Sequence, residues 1–165
     1  MEISYPSELI TTLKGKYLLL DSNLFIDSIS KPTVFKEFLN GLKEADITLT
    51  TLELIKFELL KGSANLNKYA EKENLIGNII DVLLPIVPQT SILVFELIKK
   101  YGIDGTGLTI TDLFLGAMLI QYKKNMYLMT RDTTDFIQRI FDLAFVINIP
   151  HGKGIYTYGI YQYSK

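Results

Sequence analysis

Short apolar runs that stop on a polar or acidic residue, separated by stretches of helical periodicity, constrain this chain more than any other feature. Residues 17–21 read YLLLD, 47–50 ITLT, 126–130 MYLMT and 143–147 LAFVI. Each suits a buried strand and is short for a helix. Between them lie helical spacings. Val34, Phe35, Phe38, Leu39 and Leu42 recur between Pro32 and Gly41, after a first helical turn from Asn23. Leu52, Ile55 and Leu59 run up to Lys61-Gly62, residues 64–84 read as a further helix, and Val94, Leu97, Ile98 and Tyr101 mark another over 90–101. LPIVP at 84–88 reads as a short extended segment whose two prolines limit pairing, and IDGTG at 103–107 reads as a loop. The alternation predicts an α/β fold, a doubly wound and mostly parallel sheet covered on both faces. Ligands of such sheets bind beyond the carboxyl ends of the strands.

Four acids stand where an apolar segment meets a polar one: Asp21 in KYLLLDSN, Glu58 in LIKFELLKG, Asp112 in LTITDLFLGA and Asp132 in LMTRDTTDF. Asp21 and Asp132 end strands, Asp112 opens the helix that begins near Thr109, and Gly116 one turn later is expected to leave room beside that carboxylate. Carboxylates raise one another's pKa when gathered, so convergence would call for a divalent cation with oxygen ligands. Thr50 and Glu53 have capping-box spacing, whereas Glu58 points about 140° away from Glu53, beside the apolar stripe.

Every one of these acids has a structural explanation beside the chemical one. Asp21 fits a turn or a cap, Asp112 fits a capping box with Thr109, and Asp132 fits the cap of a helix over 133–139. Asp135 fits that cap or a supporting role. Glu58 lies late in its helix, where the macrodipole disfavours an anion, and its plain reading is a solvated face. Ser22, Asn23 and Thr130 fit either local backbone bonding or orientation of a carboxylate. Asp27 and Asp104 read as surface residues.

Composition narrows the chemistry. The chain has 165 residues, 48% hydrophobic and 21% charged, enough for one globular domain that buries roughly 70% of its unfolded surface. It has no cysteine and one histidine, His151, which excludes disulfides, thiolate zinc sites and histidine clusters. Metal chemistry would rest on carboxylates. A net charge of −1 gives no broad attraction to nucleic acid. With no apolar run of about 18 residues and no basic, apolar leader, the sequence predicts no membrane segment and a cytoplasmic location. Residues 1–150 read as the domain and 151–165 as a C-terminal tail, in which Tyr156, Tyr158, Tyr161 and Tyr163 suit an edge strand, a partner surface or packing on the domain.

Taken together, LLLDSNLFID, TTLELIKFELLKGS, TDLFLGAMLI and LMTRDTTDF resemble the PIN-domain family of nucleases, in particular its small toxin-like (VapC-like) branch. The resemblance spans residues 17–147. It implies a PIN-like three-layer α/β/α fold around a central, mostly parallel sheet. It further implies a metal-dependent endoribonuclease that uses Mg²⁺ or Mn²⁺ to hydrolyse RNA phosphodiester bonds. Asp21, Glu58, Asp112 and Asp132 would then be the catalytic, metal-holding quartet, with Ser22, Asn23, Thr130 and Asp135 supporting it. An antitoxin protein and a homodimer are partners the family commonly takes.

Two other readings compete with this one. An Asp-based phosphoryl-transfer domain would use Asp21 as the nucleophile, but Asn23 occupies the place where a haloacid-dehalogenase-like phosphatase has its second Asp. A non-enzymatic protein- or RNA-binding module would use the tyrosine-rich segment and apolar helices as its surface, with the acids as caps.

Overall fold

The computed structural model describes residues 3–102, 108–136 and 140–164. In chain order the elements are α1 (Glu8–Leu13), β1 (Tyr17–Leu20), α2 (Ser22–Ser30), α3 (Pro32–Glu44), β2 (Thr48–Leu52), α4 (Glu53–Lys61), α5 (Leu66–Ile79), β3 (Val82–Leu84), α6 (Pro88–Tyr101), α7 (Ile110–Tyr122), β4 (Met126–Thr130), β5 (Phe141–His151) and β6 (Gly154–Tyr163). The strands form one six-stranded sheet in the order β3-β2-β1-β4-β6-β5. β3, β2, β1 and β4 are parallel, whereas β6 runs antiparallel to both β4 and β5. The result is the mostly parallel α/β sheet, flanked by helices, that the alternation predicts.

The parallel strands are short and apolar because both of their faces are covered. Leu18, Leu19 and Leu20 of β1 are fully buried, as are Leu128 and Met129 of β4. A fully buried Leu contributes roughly 1.5–3 kcal/mol, so these runs anchor the centre of the sheet. Beyond them the chain direction splits. β1 pairs with β2 on one side and β4 on the other, and its end is tied across by the Asp21 N–H to the Met129 carbonyl at 3.3 Å. That gap between the carboxyl ends of β1 and β4 is the switch point at which doubly wound sheets bind ligands.

Several local expectations are corrected. Thr50 and Thr51 belong to β2 and donate their hydroxyls to Val82 O and Leu20 O, so Thr50 cannot box Glu53, and α4 starts without a side-chain cap. The helix expected over 64–84 stops at Ile79, because residues 82–84 pair with β2 as β3 before the prolines begin. Val34 is only half-buried, while Phe35, Phe38, Leu39 and Leu42 face inward as the spacing predicts. The strand expected over 143–147 extends to Phe141–His151. The loop expected at 103–107, with Asp104, lies outside the described residues.

The tyrosine-rich segment is an interior strand, not an edge strand, since β6 lies between β4 and β5. Alternation along β6 sends its tyrosines to opposite faces of the sheet. Tyr156 and Tyr158 meet Phe35 of α3, with ring centroids 6.4 and 6.3 Å away. Tyr161 and Tyr163 meet Phe136 and Phe141 at 5.4 and 6.4 Å on the side of α6 and α7. One strand therefore stitches both helical layers to the sheet.

Candidate functional site

Asp21 follows the last residue of β1 and caps α2. Its Oδ1 accepts from the Ser22 N–H at 2.6 Å and the Ser22 hydroxyl at 3.3 Å; its Oδ2 accepts from the Asn23 amide at 2.8 Å and the Thr130 hydroxyl at 2.6 Å. Thr130, the last residue of β4, is fully buried and also receives hydrogen bonds from Asn23 Nδ2 at 3.1 Å and the Asp132 N–H at 3.0 Å. The amide oxygen of Asn23, Oδ1, accepts the Arg131 N–H at 3.3 Å. Ser22, Asn23 and Thr130 thus do both of the things the sequence left open: they complete local turns and they fix a carboxylate. Burial pushes the Asp21 carboxyl above its ordinary range, against the lowering effect of Thr130 and Ser22, and the charge of Asp112 adds to the rise.

Asp112 arrives from the opposite direction. α7 runs back toward β4, so its N-terminus lies at the carboxyl edge of the sheet. The capping box expected there forms: Thr109 Oγ1 accepts from the Asp112 N–H at 3.1 Å, and Asp112 Oδ2 accepts from the Thr109 N–H at 3.1 Å and hydroxyl at 2.5 Å. The capping role does not remove Asp112 from the acidic edge, since its charge acts on both Asp21 and Asp135. Gly116 does not leave room there. A Cβ at that position would lie 3.0 Å from Phe141 Cζ and 3.1 Å from Leu97 Cδ1, so the missing side chain makes space for the core.

After β4 the chain turns on itself. Asp132 Oδ1 accepts from the Thr134 N–H at 3.1 Å, the Thr134 hydroxyl at 3.0 Å and the Asp135 N–H at 3.3 Å. No helix begins within 131–136, so Asp132 caps a turn and not the expected helix; residues 137–139, Arg139 among them, lie outside the described residues. Burial would raise the Asp132 carboxyl, but the bonds from Asp135 and Thr134 outweigh it and hold it below its ordinary range. Asp135 is the converse case. Burial, a hydrogen bond and the charge from Asp132, and the charge and a hydrogen bond from Asp112 push its carboxyl up to about 7. Its backbone N–H places it in the Asp132 turn.

Glu58 reaches α7 from α4. It is exposed on α4, and its Oε1 accepts a hydrogen bond from Thr111, the residue before Asp112. The structure therefore joins Glu58 to the first turn of α7, next to the residue whose charge acts on Asp21 and Asp135. Among the described residues, no three His, Cys, Asp or Glu side chains stand close enough to form a ready metal-holding group. The donor chemistry nevertheless fits a hard divalent cation. The four aspartates offer oxygen alone, and a carboxyl that keeps its proton to about 7 marks a point where positive charge is electrostatically favoured.

The residue that sequence reasoning missed is Asp27. Expected on the surface, it is 3% exposed, accepts a hydrogen bond from Tyr158, and pairs with Arg131 Nε at 2.9 Å. Its position four residues after Asn23, on the same face of α2, was the available signal. His151 stacks on Tyr156, with centroids 3.8 Å apart.

No family model matches the chain, and no curated protein matches it either. Among solved structures it is similar to a chain in the crystal structure of VapBC2 from Rickettsia felis bound to a DNA fragment from their promoter. That similarity has a TM-score of 0.55 and 18% identity, and covers 63% of this chain and 80% of the other. The fold is PIN-like. No helix among the described residues is long and apolar enough to cross a membrane.

Proposed function

We propose that this chain is a metal-dependent endoribonuclease of the toxin-like PIN branch, hydrolysing RNA phosphodiester bonds with Mg²⁺ or Mn²⁺ and partnered by an antitoxin protein. The observation that carries the reading is that Asp21 ends β1, Asp132 and Asp135 share the turn after β4, and Asp112 opens α7 with its charge acting on both Asp21 and Asp135, whose carboxyl is pushed up to about 7. Four carboxylates sharing an edge destabilise the fold in the absence of positive charge, and such arrangements are characteristic of functional sites. The similarity to a chain of VapBC2 supports the toxin–antitoxin assignment. A homodimer fits the same assignment.

In this mechanism Asp21, Asp112, Asp132 and Asp135 would hold the cation. When bound, it supplies activation of water and neutralisation of charge on the phosphate and the leaving oxygen. The remaining work belongs to the chain. Thr130, Ser22 and Asn23 lock both oxygens of Asp21 in place, so little reorganisation is needed as ligands arrive. Thr130 also fixes the start of the Asp132 turn through the Asp132 N–H. Glu58, through Thr111, steadies the first turn of α7 and hence Asp112.

The test is incubation of a total RNA pool with and without Mn²⁺, with the new ends mapped, for the native chain and for Asp21→Asn and Asp112→Asn. Cleavage should require Mn²⁺ and vanish in both variants while their melting temperatures persist. Full activity in both folded variants would remove this site from consideration.

A further inference from the structure

Arg131 leaves the chain between Thr130 and Asp132, so a guanidinium is rooted beside the acidic edge. A cation free to move there would fold onto the nearest carboxylates. This one is held elsewhere. Its Nε lies 2.9 Å from Asp27 Oδ2, its guanidinium carbon lies 4.9 Å from the centre of the Tyr156 ring, and its backbone N–H is taken by Asn23 at 3.3 Å. Asn23 and Asp27 share one face of α2, which therefore grips both the backbone and the side chain. β6 supplies the other contacts. Tyr158 donates its hydroxyl to the same Asp27 oxygen, and Tyr156 is braced by the stacked His151 ring. With Nε fixed, the Arg131 side chain remains 38% exposed.

An acidic edge repels a nucleic-acid backbone, and a net charge of −1 provides no general attraction to offset that repulsion. A guanidinium fixed beside the acids does so locally, and its planar fork can meet a phosphate while one nitrogen stays with a carboxylate. We propose that Arg131 contacts a backbone phosphate of the RNA, and that Asp27, Tyr156 and Tyr158 position it so that it does not neutralise the neighbouring aspartates. This rests on the acidic edge being the nuclease site.

The test separates the two readings by measuring binding as well as cleavage. Anisotropy of a labelled single-stranded RNA oligonucleotide, titrated in Ca²⁺ buffer at several KCl concentrations with strand integrity checked on a gel, reports the phosphate contact. Calorimetric titration with Mn²⁺ reports the acids. The double variant Asp27→Asn/Arg131→Gln removes both charges and leaves no bare buried carboxylate. It should bind RNA about tenfold more weakly, with the salt slope reduced by about one, and bind Mn²⁺ as the native chain does. Asp27→Asn alone keeps the cation but releases it, and should weaken Mn²⁺ binding about tenfold. Unchanged RNA affinity and salt slope in the folded double variant, with native cleavage intact, would overturn the phosphate contact and leave the nuclease reading standing. Unchanged Mn²⁺ affinity in folded Asp27→Asn would overturn the positioning role. A native chain that neither binds Mn²⁺ nor cuts RNA would overturn the nuclease reading and this inference together.

Discussion

Asp132 takes the backbone N–H of Asp135 at 3.3 Å, so two carboxyls three residues apart are bent into one turn and share a hydrogen bond that favours ionisation of one over the other. The outcome is split: Asp132 is held below its ordinary range and Asp135 is pushed up to about 7. In the unfolded chain Asp135 would ionise near 3.8. Between those two values the folded state binds more protons than the unfolded state, so stability falls as pH rises through this window. The raised Asp21 acts in the same direction, while the lowered Asp132 acts only below about 3.8. In EDTA the protein should melt at a lower temperature at pH 8 than at pH 5.5. Asp135→Asn should reduce that slope and melt above the native chain at pH 8. Parallel pH profiles for the two proteins would contradict the assignment.

Thr130 concentrates three hydrogen bonds on one buried hydroxyl: it donates to Asp21 and accepts from Asn23 and the Asp132 N–H. Thr130→Val keeps the shape but strands those partners, a loss of about 1–3 kcal/mol with the Asp21 carboxyl driven further up. Thr130→Ser restores the hydroxyl and should recover most of the Mn²⁺-dependent cleavage, with only a small residual loss from the missing methyl. Denaturant melts beside cleavage rates check this. Equal activity in the Val and Ser variants would show that the hydroxyl does not orient the site.

The strands and their order of use were legible in the sequence because buried parallel strands leave uninterrupted apolar runs, as in YLLLD and MYLMT, and these deliver Asp21 and Thr130 to one edge. The Asp112 capping box was legible for a similar reason, since its partners are three residues apart. What was not legible depends on distant pairing. Asp27 reads as a surface acid until Arg131 and Tyr158, more than 100 residues away, are folded against it. Likewise, Thr50 has capping-box spacing with Glu53, but β2 claims it because Val82 offers a carbonyl. Gly116 reads as space for a ligand, yet the space belongs to Phe141.

Glu58 provides a test of charge against anchoring. Its bond from Thr111 reaches α7 next to Asp112, but the residue itself is exposed. Glu58→Gln keeps an acceptor for Thr111 and removes the charge, whereas Thr111→Val keeps the charge and removes the bond. If Glu58 acts by steadying α7, Thr111→Val should lower cleavage several-fold and Glu58→Gln should change it by less than about twofold. A loss of tenfold or more in Glu58→Gln, with Thr111→Val near native, would make the negative charge itself the functional element. Thr111 is buried, so Thr111→Val should also cost about 0.5–1.5 kcal/mol in a denaturant melt, whereas Glu58→Gln, which keeps the acceptor, should cost less.

Gly159 sits opposite Thr130 in the β4–β6 ladder, and its lack of a side chain is filled by Tyr161. A Cβ there would lie 2.6 Å from Tyr161 Cε2 and 3.1 Å from Leu143 Cδ1. Tyr161 cannot swing away freely, because its ring packs on Phe136 at 5.4 Å and its hydroxyl reaches the Thr133 carbonyl at 3.5 Å. Gly159→Ala should therefore destabilise the protein by about 1–3 kcal/mol, more than the roughly 0.5–1 kcal/mol that alanine regains in backbone entropy. For a chain of this size the melting temperature should fall by roughly 2–12 °C. Displacing Tyr161 also disturbs residues 133–136, so Mn²⁺-dependent cleavage should fall in the fraction that remains folded. The same substitution at Gly77, on exposed α5 with nothing within 4 Å of the added carbon, should instead raise stability by about 0.5–1 kcal/mol. A Gly159→Ala protein that melts with or above the native chain would mean that β6 is not packed against the Asp132 turn as described.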